Sequence, residues 1–353
     1  MRFGKRLLPL LAAVVILELL FRFGLPYLWA GIPRFWDFEN QLDIAQQISV
    51  NAILAFGLTL TILIGGIDLS VGALVALVGT TTVYVLTRGA PHAESLLQLA
   101  LAVAAGLGVA CVYGTFNGVC AAKTRMPPFI ITLATMWIAR GEALRYNEGR
   151  PMHIPDTETT FLLLGNGRLR DLLPGFLFEP LEASSDAGSK VGMFLFEDVG
   201  RIPIPVLVMT AIFIVVAVAL HRTRFGQHLY AIGGNREAAR YTGIPLARRE
   251  VAVYVICSLL TGVAGMIHAS QLYSAEPASG VGFELNAIAA AVVGGTSFTG
   301  GIGTMGGTLI GAIIIGILDK GLNQAGVHYS FQYMVKGLVI LAAVYLDVRR
   351  RSK

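Results

Sequence analysis

The stretch GLTLTILIGGIDLSVGALVAL (residues 57–77) decides the fold. It consists of two apolar runs interrupted by GGIDLSVG (65–72). Paired glycines readily end a helix, because glycine tolerates the left-handed conformation. Asp68 or Ser70 is then placed to cap the next helix by accepting from its free N–H groups. Gly72, Ala73, Ala76 and Gly79 follow at close to helical spacing, so the new helix carries one nearly smooth face suited to close contact with a neighbour. An acid inside an apolar stretch is functional by default, yet Asp68 also has this capping task. The corner therefore reads either as the packed wall of a route through the protein or as a plain helix hairpin.

The flanking apolar runs extend over 44–64 and 69–87, each about the 20 residues that cross roughly 30 Å of hydrocarbon. The pattern recurs in both directions and predicts ten spans, near 7–28, 44–64, 69–87, 96–121, 128–146, 203–220, 250–270, 284–300, 303–322 and 330–347. The first run continues past Glu18 and Arg22, a self-neutralising pair four residues apart. No small-residue cleavage site follows it, so it reads as a span rather than a removable leader. The eighth is short and rich in glycine at its end. Composition agrees. The 353 residues are 55% hydrophobic and 14% charged, with 41 glycines, where a water-soluble chain carries about a quarter charged residues. The predicted fold class is an all-α integral membrane protein of about ten transmembrane helices, a single domain over 1–353 in an inner membrane.

A net charge of +5 invites a nucleic-acid partner, but the basic residues sit in the short loops between apolar runs, where they orient the chain in the membrane. With the N-terminus inside, the cytoplasmic segments hold 15 Lys and Arg and the external segments 7, five of those in one long loop. An even number of spans keeps both termini cytoplasmic, and an odd number would place the basic tail 349–353 outside, against the rule.

Two loops are large. Residues 147–202 form the external one; its polar stretch is 183–190, and its apolar pieces 161–164 and 172–178 are too short to span, so they lie in the interface or fold back over the membrane domain. Residues 221–249 form a basic cytoplasmic loop. Within it Asn235, Arg236, Glu237, Ala238, Ala239 and Arg240 read as a short helix, with Asn235 as N-cap, Glu237 in the first turn and Gly243 with Pro245 at its end. Such a helix suits docking onto a soluble partner, or an ordinary anchoring loop on anionic lipid. GGIDLSVGALVALVG (65–79) is weakly echoed by GGTSFTGGIGTMGGTLIG (294–311), read either as an internal repeat or as shared membrane-glycine chemistry.

Polar residues inside spans must face protein or water. Asn51, Asn117, Arg140, His268, Asn286 and Lys336 are lumen candidates on this ground; with Asp68, Ser70, Thr296 and Ser297 of the two glycine corners they sketch a polar path. Cys111, Cys120 and Cys257 fall in apolar runs as small core residues, and no metal-ligand spacing is present. There is no GxxxxGK[ST], HExxH or GxSxG, no voltage-sensor arginine repeat and no TVGYG filter. An ion-driven secondary transporter would pair acids with broken helices at the midplane; with Asp68 read at a cytoplasmic corner, that alternative is disfavoured. Nothing resembling a nucleophile–base pair supports a membrane enzyme.

Four segments in order, GLTLTILIGGIDLSVGALVAL (57–77), PPFIITLATMWIARG (127–141), HRTRFGQHLYAIGGNREAARYTGI (221–244) and ELNAIAAAVVGGTSFTGGIGTMGGTLIGA (284–312), resemble the permease subunits of bacterial ABC sugar importers of the ribose, xylose, galactose and galactofuranose type. A branched-chain amino-acid permease of the same superfamily is a close alternative. The chain departs from the family at Glu284–Leu285–Asn286, where the pattern is Glu-Leu-Asp. The resemblance implies a transport subunit in the bacterial inner membrane, with no cofactor of its own. ATP and magnesium would be bound by a partner ATPase, a periplasmic sugar-binding protein would deliver a monosaccharide, and a second permease, identical or closely similar, would complete the path. It further implies that Gly233, Gly234 and residues 235–243 form the segment that couples to the ATPase, with Arg236 and Glu237 in contact with it.

Overall fold

The computed structural model describes residues 2–19, 21, 37–88, 96–124, 126–156, 158–172 and 199–351. The far half of the predicted first span, with Arg22, lies outside the described residues. So do residues 183–190, nearly all of 172–178, and Arg34, Arg125, Lys190 and Lys353 of the charge count.

The chain is nearly all helix. In order come α1 (Arg2–Leu19), α2 (Phe38–Leu63), α3 (Val71–Arg88), α4 (Leu96–Lys123), α5 (Pro128–Arg145), strand β1 (Met152–His153), α6 (Thr159–Asn166) and α7 (Leu169–Leu172). Then follow α8 (Ile204–Arg222), α9 (Arg224–Gly234), α10 (Arg236–Tyr241), α11 (Leu246–Gln271), strand β2 (Ser274–Ala275), α12 (Phe283–Val293), α13 (Met305–Gln324) and α14 (Tyr329–Arg351). Six of these, α2, α3, α4, α8, α11 and α13, are long and apolar enough to cross a membrane. The α5 helix carries Arg140, Glu142 and Arg145 in its second half.

At 26 residues each, α2 and α11 are about 39 Å long and form the centre. α11 packs along α4, α2 and α3, and α2 also meets α12, α13 and α8. Small residues set these approaches, as expected where packing rather than hydrophobic expulsion joins helices. A side chain on Gly114 of α4 would begin 2.8 Å from the Tyr254 carbonyl, and one on Gly118 2.7 Å from the Val251 Cα. Gly57 of α2 lies equally tightly on Cys257. At the far end of the bundle α6 folds back over it. Phe161 is buried there, Ser270 Oγ donates to its carbonyl at 2.9 Å, and Gly165 N donates to Ser270 Oγ at 2.8 Å. Of the two alternatives for piece 161–164, the structure takes the fold-back. The antiparallel pairing of Met152 with Ala275 and His153 with Ser274 closes the same end.

The glycine corners share one device. α2 ends with Gly65 at φ +80°, Gly65 N donating to Ile62 O and Gly66 N to Thr61 O, both at 2.9 Å. α12 ends with Gly295 at φ +90°, Gly295 N donating to Val292 O at 2.8 Å and Thr296 N to Ala291 O at 2.9 Å. Both are Schellman caps, which need a residue free to turn left-handed. The sequence echo is therefore a shared cap. Beyond it the segments diverge, since 66–70 are extended while 296–303 turn before Thr304 caps α13 by accepting from Gly307 N at 3.1 Å.

Two predicted spans change character. The run 284–300 is an 11-residue helix, about 16 Å long, because Gly294 and Gly295 end it at Val293. The non-helical stretch 276–282 precedes it, running from β2 back to the bundle. The run 69–87 starts as extended chain, and α3 begins well inside the bundle. Gly66 touches Tyr254, whereas Val75 touches Gly265, eleven residues and about 16 Å further along α11. The N-termini of α3 and α12 consequently meet within the protein. Gly72 lies against the Gly280 carbonyl and Glu284, and Gly280 against the Gly72 carbonyl, with no room for a Cβ on either.

Gly72→Val introduces a β-carbon bearing two methyl groups into that contact. It should lower stability by about 1–3 kcal/mol, read as thermal unfolding of detergent-purified protein, whereas the same change at Gly108, which has nothing within 4 Å of a built Cβ, should leave unfolding unchanged within error.

Candidate functional site

The residues singled out by sequence separate into four places. The first is a buried polar bridge behind the α2–α3 corner. Asp68 Oδ1 accepts from Ser70 N at 2.9 Å and Ser70 Oγ at 2.5 Å, the capping arrangement that an acid two residues before a hydroxyl offers. Asn117 Nδ2 of α4 donates to Ser70 Oγ at 3.1 Å, and Thr135 Oγ1 of α5 donates to Asn117 Oδ1 at 2.9 Å. Thr132 Oγ1 donates to the Ile67 carbonyl and accepts from Leu69 N, both at 3.1 Å. Asp68, Ser70 and Asn117 are fully buried. Thr132 and Thr135 escaped the sequence reading because lone threonines in a helix carry no signal. Asp68 is placed not at the corner but beyond it, sealed inside the bundle.

The second place is the returning stretch 276–282. Arg140 Nη1 donates to the carbonyls of Pro277 at 2.8 Å and Ser279 at 2.6 Å. His268 stands edge-on to Phe283 with ring centroids 5.1 Å apart. Together they hold the start of α12 where α3 also starts. Both helices present their positive ends there, and Glu284, in the first turn of α12 against Gly72, supplies negative charge.

The third is a small cavity between α2, α12 and α13, whose lining includes Asn51 and Asn286. Among the described residues no three His, Cys, Asp or Glu side chains converge as a metal site would require.

The fourth is a platform at the corner end. Asn235 Oδ1 accepts from Ala238 N at 2.9 Å, capping α10 as its sequence suggests. Gly243 ends it at φ +79°, with Ile244 N donating to Ala239 O at 3.2 Å. Ala239 is buried beneath the helix; Glu237, Arg240 and Tyr241 point outward, Tyr241 at 85% exposure. Arg236 is not free. Its guanidinium pairs with Glu250 at the start of α11, a carboxylate with 3% of its side chain exposed. The loop rests on both glycine corners. Gly233 presses on the Leu63 carbonyl and Gly301, Gly301 N donates to Leu63 O at 2.8 Å, and Tyr230 Oη donates to Gly303 O at 2.7 Å. Burial pushes the Tyr230 phenol up to about 12, so it stays a donor throughout the physiological range. Thr296 and Ser297 are buried within the same platform. Tyr230 and Glu250 were invisible in sequence because their partners, Gly303 and Arg236, lie in other segments.

Residues 40–344 match the family described as branched-chain amino acid transport system / permease component. The chain belongs to this family. The ribose import permease protein of Escherichia coli K12 is 40% identical over 319 residues, 90% of this chain and 88% of that one. That of Bacillus subtilis is 40% identical over 320 residues, 91% of this chain and 88% of that one. The xylose transport system permease protein of E. coli K12 is 32% identical, covering 97% and 92%. No solved structure matches. Family membership and the apolar helices make the chain a multi-pass membrane transport subunit rather than an enzyme.

Arg236→Ala strands the buried Glu250 carboxylate and should destabilise the protein. The expected loss is about 1–3 kcal/mol, reduced from the fully buried case because the arginine is half exposed. The double change Arg236→Ala/Glu250→Ala should recover most of the lost stability in the same thermal unfolding assay.

Proposed function

We propose that the chain is the membrane-spanning permease of an ATP-driven importer that moves a monosaccharide. The observation that carries this reading is 40% identity to ribose import permeases over about nine-tenths of both chains. In this reading a separate ATPase subunit binds ATP and magnesium, a periplasmic binding protein delivers the sugar, and a second permease copy completes the path. The chain lies in a bacterial inner membrane as one domain. Ten crossings place both termini and the platform in the cytoplasm, the eighth crossing being the stretch 276–282 followed by α12. The 15-to-7 distribution of basic residues supports this orientation. Reporter fusions at Ser274 and Phe298 should report opposite sides; the same side for both would break the topology.

The platform is the coupling site. ATP binding drives transport only if one packing of the permease makes better contact with the ATPase than another. The capped helix α10 follows directly on α9, whose Gly233 rests on Leu63 and Gly301, so a displacement passes from it to the ends of α2 and α13. Glu237 meets the ATPase, whereas Arg236 holds α10 to α11. Asn51 and Asn286 line the path. The fully buried Asp68, Ser70 and Asn117, with Arg140, His268, Thr296 and Ser297, position the helices that form it. In proteoliposomes holding the permease, its ATPase and the binding protein, D-ribose uptake should require ATP hydrolysis, and leucine should not be taken up. Glu237→Lys should reduce uptake at least tenfold without lowering thermal stability, because the side chain is exposed; unchanged uptake would remove Glu237 from the interface.

A further inference from the structure

Where α2, α12 and α13 come together, about 40 Å³ of free space remains, and its polar lining is Gln47, Asn51, Asn286 and Asp319. These come from three separate helices and face one another inside an otherwise apolar packing. Asn51 Oδ1 is buried and accepts no hydrogen bond among the described residues, so it has an acceptor to offer a group entering the cavity. Asp319 is balanced by Lys336 of α14, whose Nζ lies 3.0 Å from Oδ1 and which is not itself part of the lining.

From this arrangement we infer that Asn51, Asn286 and Asp319 form a binding site for the hydroxyl groups of a neutral monosaccharide in transit, an inference that rests on the importer reading above. The chemistry matches. A hydroxyl both donates and accepts, and the two amides do the same, while a carboxylate accepts from two adjacent hydroxyls at once. The site has no net charge once Lys336 is counted, so it suits a neutral ligand better than an amino-acid zwitterion, whose two charged ends would each need a counter-charge. Its present volume admits water and not a sugar ring. The ring enters when α2 and α13 separate. Two contacts close that seam: Gly316 lies directly against Ile48, and Gln324 Nε2 donates to Asn40 Oδ1 at 2.6 Å.

The test uses the whole complex in proteoliposomes with D-ribose as probe. ATP-driven uptake by the unaltered complex checks the importer reading, and the ratio of variant to unaltered protein checks the site. Asp319→Asn should raise the KM for uptake at least tenfold while the ATPase remains stimulated by the loaded binding protein. The double variant Asp319→Asn/Lys336→Met leaves no stranded charge, and its KM should stay raised. Recovery of the unaltered KM in the double variant would mean that the ion pair only joins α13 to α14, and would overturn the site. Independently, Asn51→Cys in a background lacking Cys111 and Cys120 should react with a charged methanethiosulfonate more slowly when D-ribose is present. Equal rates with and without sugar would also overturn it. If the unaltered complex moves leucine and no sugar, the importer reading fails together with the site.

Discussion

The structure depends on the meeting of two helix N-termini inside the protein. Gly72 of α3 and Gly280 before α12 touch backbone to backbone, and neither helix can start there unless its partner does. A helix start leaves unpaired N–H groups and a partial positive charge, and in hydrocarbon no water would satisfy them. The protein answers with side chains. Asp68 accepts from Ser70 on the α3 side, Glu284 sits in the first turn of α12 against Gly72, and Arg140 fixes the carbonyls of Pro277 and Ser279. The irregular backbone at 66–70 is tolerated because it is enclosed by protein, α11 on one side and α4 and α5 on the other.

This explains how far the sequence was legible. Long apolar runs such as 44–64 and 250–270 announce helices by length alone, and the structure returns them as α2 and α11. The α10 helix was readable to its ends, because a cap residue and a terminal glycine act within a few positions of one another. The eighth span was not readable as it stands. The stretch 287–293 is apolar throughout and continues into small residues, and only the cap at Gly295 divides 284–300 into a short helix and a turn. Asp68 was misplaced for a related reason. A glycine pair signals that a helix ends, and nothing local says that the chain then runs inward before the next one begins. Pairings between distant segments, such as Arg236 with Glu250 or Gln324 with Asn40, leave no periodic trace.

Half-helices with acids beside them are also what an ion-coupled transporter would show, so the geometry alone does not separate the two classes. The placement of the acids does. Asp68 is fully buried, with Oδ1 taken by Ser70, and Glu284 lies in the first turn of α12 against Gly72, so each acid sits at a helix start. Family membership and the likeness to ribose import permeases point the same way. The polar residues that face the cavity between α2, α12 and α13 are three amides and one ion-paired carboxylate, a set with little capacity to gain or lose charge during a cycle.

The positions of the platform and the cavity then impose a mechanical requirement. Both involve α2 and α13. The platform grips the end of α2 at Leu63 and the loop leading into α13, while the cavity lies further along the same two helices. A helix transmits displacement along its axis with little loss, because its hydrogen-bonded backbone is far stiffer than its side-chain contacts. On the proposed coupling, movement applied at Gly233 reaches the seam between Ile48 and Gly316 without passing through the α3–α12 junction. The junction lies off that line, tied to α4 and α5 by Asn117 and Arg140, and on the same proposal it is the wall against which the seam opens. In that proposal the part that must hold still is separate from the part that must move, and Gly316, which leaves no room for a Cβ against Ile48, has the task of letting the seam close fully.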